Sequence, residues 1–447
     1  MTDLDRLTAD LIDAALSKGA DAADAVASAG TSLSIEVRDG ALEHAERAEG
    51  IEIGIRVLIG KRQACVSASD TRPETLDEIA GRAIDMARIA PEDPHIGLAD
   101  PDQIARDWDI AAFDLCDPSA DPAPAELEDV ARAAEASALS HEGISQVQSS
   151  AGYFSRSTIH LAASNGFSGG YQRTSHGASA VAITGEGTGM ERDYYGESRI
   201  YRADLPDAET IGRIAAERTL ARAGARRPKT GAYPVVYDER VASSLIGHLL
   251  QAANGGNIAR GSSWLRNRLG DQVLPKGLSI IEDPHRARVG SSKPFDGEGL
   301  PTARRAIVED GVLTGWTLDL ATARKLGMTS TANAARGPSS PPSPSVSNIA
   351  LTEGDMDRDG LLAEMGTGLL VTSLIGSSIN ATTGDYSRGA SGFWVENGEI
   401  AYPVNECTIA GNLSDMLAGI VPANDARHWT SRVVPSLLVE GLTIAGE

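Results

Sequence analysis

Metal or proton-transfer chemistry would have to come from the histidines His44, His95, His141, His160, His176, His248, His285 and His428. A zinc-peptidase helix carries two histidines about one turn apart, with a glutamate beside the first to act as general base. No two histidines of this chain lie within five residues of each other. His141-Glu142 starts in that manner, but Gly143 interrupts a helix and no second histidine follows four or five positions later.

Nucleophiles are equally scattered. Cys65, Cys116 and Cys407 never form a CxxC pair, which argues against both a disulfide framework and a zinc knuckle and fits a reducing cytoplasm. No Gly-x-Ser-x-Gly stands between a strand and a helix, and Gly185-x-Gly187-x-Gly189 lacks the Lys-Ser/Thr of a phosphate loop. A dispersed hydrolase site pairing Cys407 with His428 or His248 is left open, since sequence distance does not exclude it.

The most informative histidine sits on a helix expected from an Asp238 N-cap to Ala253, ended by Asn254-Gly255-Gly256. Val241, Leu245, His248, Leu249 and Ala252 form one stripe, so His248 and Asn254 are candidate pocket residues, the histidine with its nitrogens satisfied. A lone His248 cannot hold catalytic zinc.

The elements positioning these residues follow from periodicity. Leu4, Leu7, Leu11 and Ala15 mark an amphipathic helix, and a second runs from Glu74 to Arg88 with Pro91 beyond it. Leu33, Ile35 and Val37 alternate ahead of the turn pair Asp39-Gly40, and Ile51 to Val57 alternate after it. Proline-rich 114–124 precedes an Ala-rich helix to Leu139; alternating runs fill 145–202; helix returns at 207–223. Asp310-Gly311 and Asn397-Gly398 predict further hairpins, the latter joining 393–395 to 400–402. Gly337 to Pro344, GPSSPPSP, is expected to be a flexible loop or an arm that reaches a partner.

The expected fold is α+β in two domains: an N-terminal domain of helices and antiparallel strands over 1–224, and a β-dominated antiparallel domain over 225–447. A formal charge of −22 repels phosphate backbones, which disfavours nucleic-acid binding. The opening residues Met1 to Arg6 lack a basic run followed by an apolar core, and no stretch is long and apolar enough for a span. Neither secretion nor membrane insertion is expected.

Several segments together resemble the TldD/PmbA family. The helix followed by Arg260-Gly261-Ser262-Ser263-Trp264 is similar to the segment that carries His-Glu-x-x-x-His in the TldD branch. Counting back from Gly261, the matching positions hold Ile246, Gly247 and Gln251. The 425–431 stretch also lacks the cysteine that the TldD branch supplies there. Pro294-Phe295-Asp296-Gly297-Glu298-Gly299, Gly311-Val312-Leu313, Ala323-Arg324-Lys325-Leu326-Gly327 and Thr408-Ile409-Ala410-Gly411-Asn412 look like the PmbA (TldE) branch, and Ser164-Asn165-Gly166-Phe167 extends the likeness to the first half.

This resemblance implies a subunit with no metal or cofactor of its own. Its partner would be a TldD-type zinc peptidase acting on extended, unstructured peptides in proteolysis and precursor maturation. It also leaves room for self-association and for the family's older description as a modulator of DNA gyrase. An admitted peptide could pair with a strand edge, for which Ser391, Gly392, Phe393 and Trp394 are the candidates, the plainer reading of the segment being an ordinary buried hairpin.

Overall fold

In the computed structural model, residues 4–446 are described; Met1 to Asp3, at the start of the stretch read for a leader, lie outside them. Helix α1 (Leu4–Ser17) buries Leu4, Leu11 and Ala15, as its periodicity predicts. Strands β1 (Ala22–Arg38) and β2 (Ala41–Ile59) follow, joined at Asp39-Gly40, where φ values of 52° and 69° match a tight hairpin turn. After β3 (Arg62–Ala68), Pro73 opens α2 (Pro73–Ile89), its missing N–H costing nothing in the first turn.

Helix α3 (Pro124–Leu139) leads into β4 (Ile144–Ala163), β5 (Ser168–Thr184) and β6 (Glu191–Arg199); α4 (Ala208–Leu220) is capped by Asp207. The sheet order is β3-β2-β1-β4-β5-β6, antiparallel throughout. The alternating runs expected over 145–202 prove to be two strands of 20 and 17 residues and a shorter third. Ala23, Ala25, Ala27, Ile53, Ile55 and Val57 on one face of this sheet pack under α1 and α2.

The second half is built on a small barrel. Strand β7 (Gly231–Tyr237) lies between strands 368–379 and 437–445, and the hairpin strands 385–396 and 399–412 continue from 368–379. Pairing of Thr408 with Ala445 and Ala410 with Thr443 closes the circuit. Both predicted hairpins form, with positive φ at Asp310-Gly311 and Asn397-Gly398. Among the described strands of this half, pairing is antiparallel except between Leu369–Val371 and β7, and between Ile349–Ala350 and Arg432–Val433. Helix α5 (Glu239–Ala252) covers the barrel through Leu245, Ile246 and Leu249.

The two halves are locked together by aromatic packing. Phe295 meets Phe167, Trp108 and Tyr171 at centroid distances of 4.9, 5.0 and 5.7 Å. The proline-rich run is neither free nor extended away from the body. Ser343–Pro344 pairs with Ala334–Ala335, and Pro338 lies so close to Gly54 of β2 that any Cβ there would collide with its backbone. Among the described residues, no helix is long and apolar enough to cross a membrane.

Candidate functional site

Helix α5 starts at Asp238, whose carboxylate accepts from the Arg240 N–H at 3.2 Å. At its other end α5 stops at Asn254-Gly255-Gly256, as expected, but the same residues also open another helix. Asn254 is the N-cap of a second helix, α6 (Gly255–Arg260), with Oδ1 accepting from Gly256 and Nδ2 donating to the Pro344 carbonyl at 2.7 Å. Both ends of the Asn254 amide are therefore spent on holding α6 and the proline-rich run, not on a pocket.

Ile246 is fully buried in the barrel core, Gln251 is exposed, and Gly247 is half-buried, its would-be Cβ 3.6 Å from the Arg432 guanidinium. Ile246 and Gln251 thus face different surroundings. Among the described residues no three His, Cys, Asp or Glu side chains cluster as metal ligands would. His248 packs edge-on to Tyr386 at 5.8 Å, but its Nε2 is buried without a hydrogen-bond partner among the described residues, contrary to the expected satisfied ring. Burial, helped by Arg388, pushes its pKa down, which keeps the imidazole neutral.

The expected peptide edge at Ser391–Trp394 is not an edge. Phe393 pairs with Leu370 on one side and Pro403 on the other, and Trp394 with Leu369 and Tyr402. With a strand on either side, the segment offers no open edge to an added strand. Gly392 has no space for a side chain against the Leu370 carbonyl, and Trp394 is 2% exposed, edge-on to Tyr233 at 4.9 Å. The aromatic pair that marked this segment is a core signature.

Ser391 does line a cavity. A cleft of about 870 Å³ opens between β6 and the barrel wall, with Val181, Ile183 and Ile375 giving apolar surface and Glu191, Asp193 and Arg222 giving charge. Arg222 donates to Ser391 Oγ at 2.9 Å and lies 3.5 Å from Glu191. Asp193, 8% exposed, pairs with Arg240 at 3.3 Å, and Arg240 with Asp238 at 3.0 Å. An ion-pair chain thereby ties the sheet edge to the N-terminus of α5. Its members come from separate segments around 191–193, 222, 238–240 and 391 and carry no shared motif, so sequence reading could not assemble them.

Cys407 also borders this cleft, yet it is unsuited to attack. Its Sγ donates to the Ala390 carbonyl at 3.2 Å, and burial pushes the thiol up to about 11. A nucleophilic cysteine needs a lowered pKa and an adjacent base. His428 instead pairs with Glu353 at 2.8 Å on the surface.

A helix-flanked antiparallel sheet joined to a closed, α5-covered barrel defines a multi-domain α+β protein, with a cleft at the junction. The chain belongs to the PmbA/TldA metallopeptidase family. Profiles of that family's domain 1, central domain and C-terminal domain match residues 23–87, 117–223 and 230–446. It is 37% identical over 428 residues to the metalloprotease PmbA of Escherichia coli O157:H7, covering 96% of this chain and 93% of that protein. A Bacteroides thetaiotaomicron crystal structure, described as a candidate modulator of DNA gyrase, superposes with a TM-score of 0.92 at 29% identity over the whole of both chains. TldE from Thermococcus kodakarensis shares the fold, with a TM-score of 0.85 at 20% identity, covering 98% of this chain and 100% of that one.

Proposed function

We propose that this chain is the non-metal, PmbA/TldE-type subunit of a two-component peptidase whose zinc-bearing, TldD-type partner cleaves unstructured peptides, including precursors. The observation that carries the reading is Ile246. By the resemblance to the TldD branch, the first zinc-binding histidine would fall at Ile246, which is fully buried, and the general base at Gly247. The cleft between β6 and the barrel supports a share in holding substrate, because β6 ends its sheet and an extended chain binds a strand edge through main-chain hydrogen bonds. Three free cysteines suit a reducing cytoplasm.

The test is metal content and cleavage of an extended peptide by the purified chain, alone and mixed with a TldD-type protein from the same cell. Cleavage confined to the mixture is the expected result. Stoichiometric zinc or turnover in the chain alone would overturn the assignment.

A second reading, regulation of DNA gyrase, rests on the description of the Bacteroides structure. With a formal charge of −22, this chain would act through protein contact and not on DNA. Unchanged supercoiling by gyrase in its presence would remove this reading.

A further inference from the structure

Away from α5 and the cleft, a smaller cavity of about 160 Å³ lies where the second half docks on the first sheet. At its charged end, Asp24 is shared by two guanidiniums. Arg56 Nε donates to Asp24 Oδ2 at 2.9 Å, and Arg336 Nη1 pairs with Asp24 Oδ1. Burial alone would raise the Asp24 pKa, but Arg336 and Arg56 outweigh it and hold the carboxylate ionised. One carboxylate cannot neutralise two cations, and the Arg336 side chain is only 2% exposed.

The remaining donors are specific in their geometry. Arg336 Nη1 is used by Asp24, whereas Nε and Nη2 are buried without a partner among the described residues, and Arg336 lines the cavity. Nε–H and Nη2–H lie along one side of the guanidinium and match the two oxygens of a carboxylate. Half-buried Lys293 adds a further amine, its pKa pushed down by burial, with a 3.4 Å contact to the Ala334 carbonyl.

The nearest acids do not fill the gap. Asp296 is committed to the backbone N–H groups of Glu298, Leu300 and Ala334 at 2.9 to 3.0 Å. Glu298 accepts from Leu320 N at 2.8 Å, and burial pushes it up to about 8, so it is largely uncharged at neutral pH. Val26, Leu161, Tyr171 and Phe295 give the cavity apolar lining. An isolated buried cation is costly, and an incoming anion removes that cost.

We propose that this cavity binds a carboxylate carried on a short apolar group, its oxygens on Arg336 Nε and Nη2 and its aliphatic part against Tyr171 and Phe295. The chemistry has two sources, a free short-chain acid or the C-terminus of a peptide ending in a small aliphatic residue. The site is independent of zinc and of any partner chain, so it stands or falls separately from the peptidase reading.

Isothermal titration calorimetry on the full chain alone tests it, with isobutyrate, a hexapeptide ending in valine, and the C-terminal amide of that peptide as probes. Arg336→Lys keeps a cation beside Asp24 but removes the side-on pair of donors. The expected result is binding of a carboxylate probe, none of the amide, and affinity roughly tenfold or more weaker in Arg336→Lys. Binding of isobutyrate alone identifies a free acid as the ligand, and binding of the peptide acid identifies a chain terminus. No heat from either carboxylate, equal binding of the amide, or unchanged affinity in Arg336→Lys would each overturn the proposal.

Discussion

Phe295 and Phe167 meet edge to face with centroids 4.9 Å apart, across the boundary between the N-terminal sheet and the barrel half. Both are almost fully buried, and Gly169 and Gly299 leave no room for a Cβ beside the rings.

Phe295→Ala should therefore cost about 3–5 kcal/mol, the range for deleting a buried aromatic ring. Scanning calorimetry reads the result. A split of one transition into two would also show that this cluster couples the halves, whereas a change below about 1 kcal/mol would mean the ring does not hold them.

Glu298 gives a pH dependence of definite sign. Burial, reinforced by the Asp296 carboxylate, raises its pKa from 4.5 to about 8. In that interval the folded chain retains a proton that the unfolded chain has lost, so stability falls as pH rises and the penalty is complete above about 8. Glu298→Gln should remove this slope, gaining on the order of a few kcal/mol relative to the parent at alkaline pH and little near pH 4. Urea denaturation across that range measures the difference, and parallel curves for the two proteins would contradict it.

Asp193 and Arg240 should be strongly coupled. Asp193→Ala leaves Arg240 and Arg222 without a shared anion in a mostly buried setting, a loss of about 3 kcal/mol. Arg240→Met in the same chain should recover part of it. A double-mutant cycle that proves additive would show the pair to be energetically silent.

Cys407 should resist alkylation in the folded chain. With its thiol raised to about 11 and bonded to the Ala390 carbonyl, little thiolate is present near neutral pH. Mass spectrometry after brief iodoacetamide treatment should find Cys407 unmodified until the protein is unfolded. Prompt native labelling at that position would reopen it as a nucleophile.

Local structure was legible where side chains alternate or repeat and where turn residues demand positive φ. Asp39-Gly40, Asp310-Gly311 and Asn397-Gly398 all turn as their chemistry requires. Neighbours in space were harder to read. Phe393-Trp394 looked like a sticky edge, but only the strand order reveals partners on both sides. Asn254 looked like a terminator because a C-terminal stop and an N-terminal start use overlapping residue types. Asp24 and Arg56 face each other across the β1–β2 hairpin, but Arg336 joins them only when a far later segment packs there, which no spacing rule could foretell.

The barrel's wiring bears on how the chain is made. Strand β7 appears early in the second half, yet its neighbours are residues 368–379 and 437–445, the latter the last strand described. During translation β7 must remain unpaired until residues 368–379 have left the ribosome, and on its other side until 437–445 have followed. The apolar run Val235, Val236 and Tyr237 is exposed for that interval, making the nascent second half a natural client for chaperones.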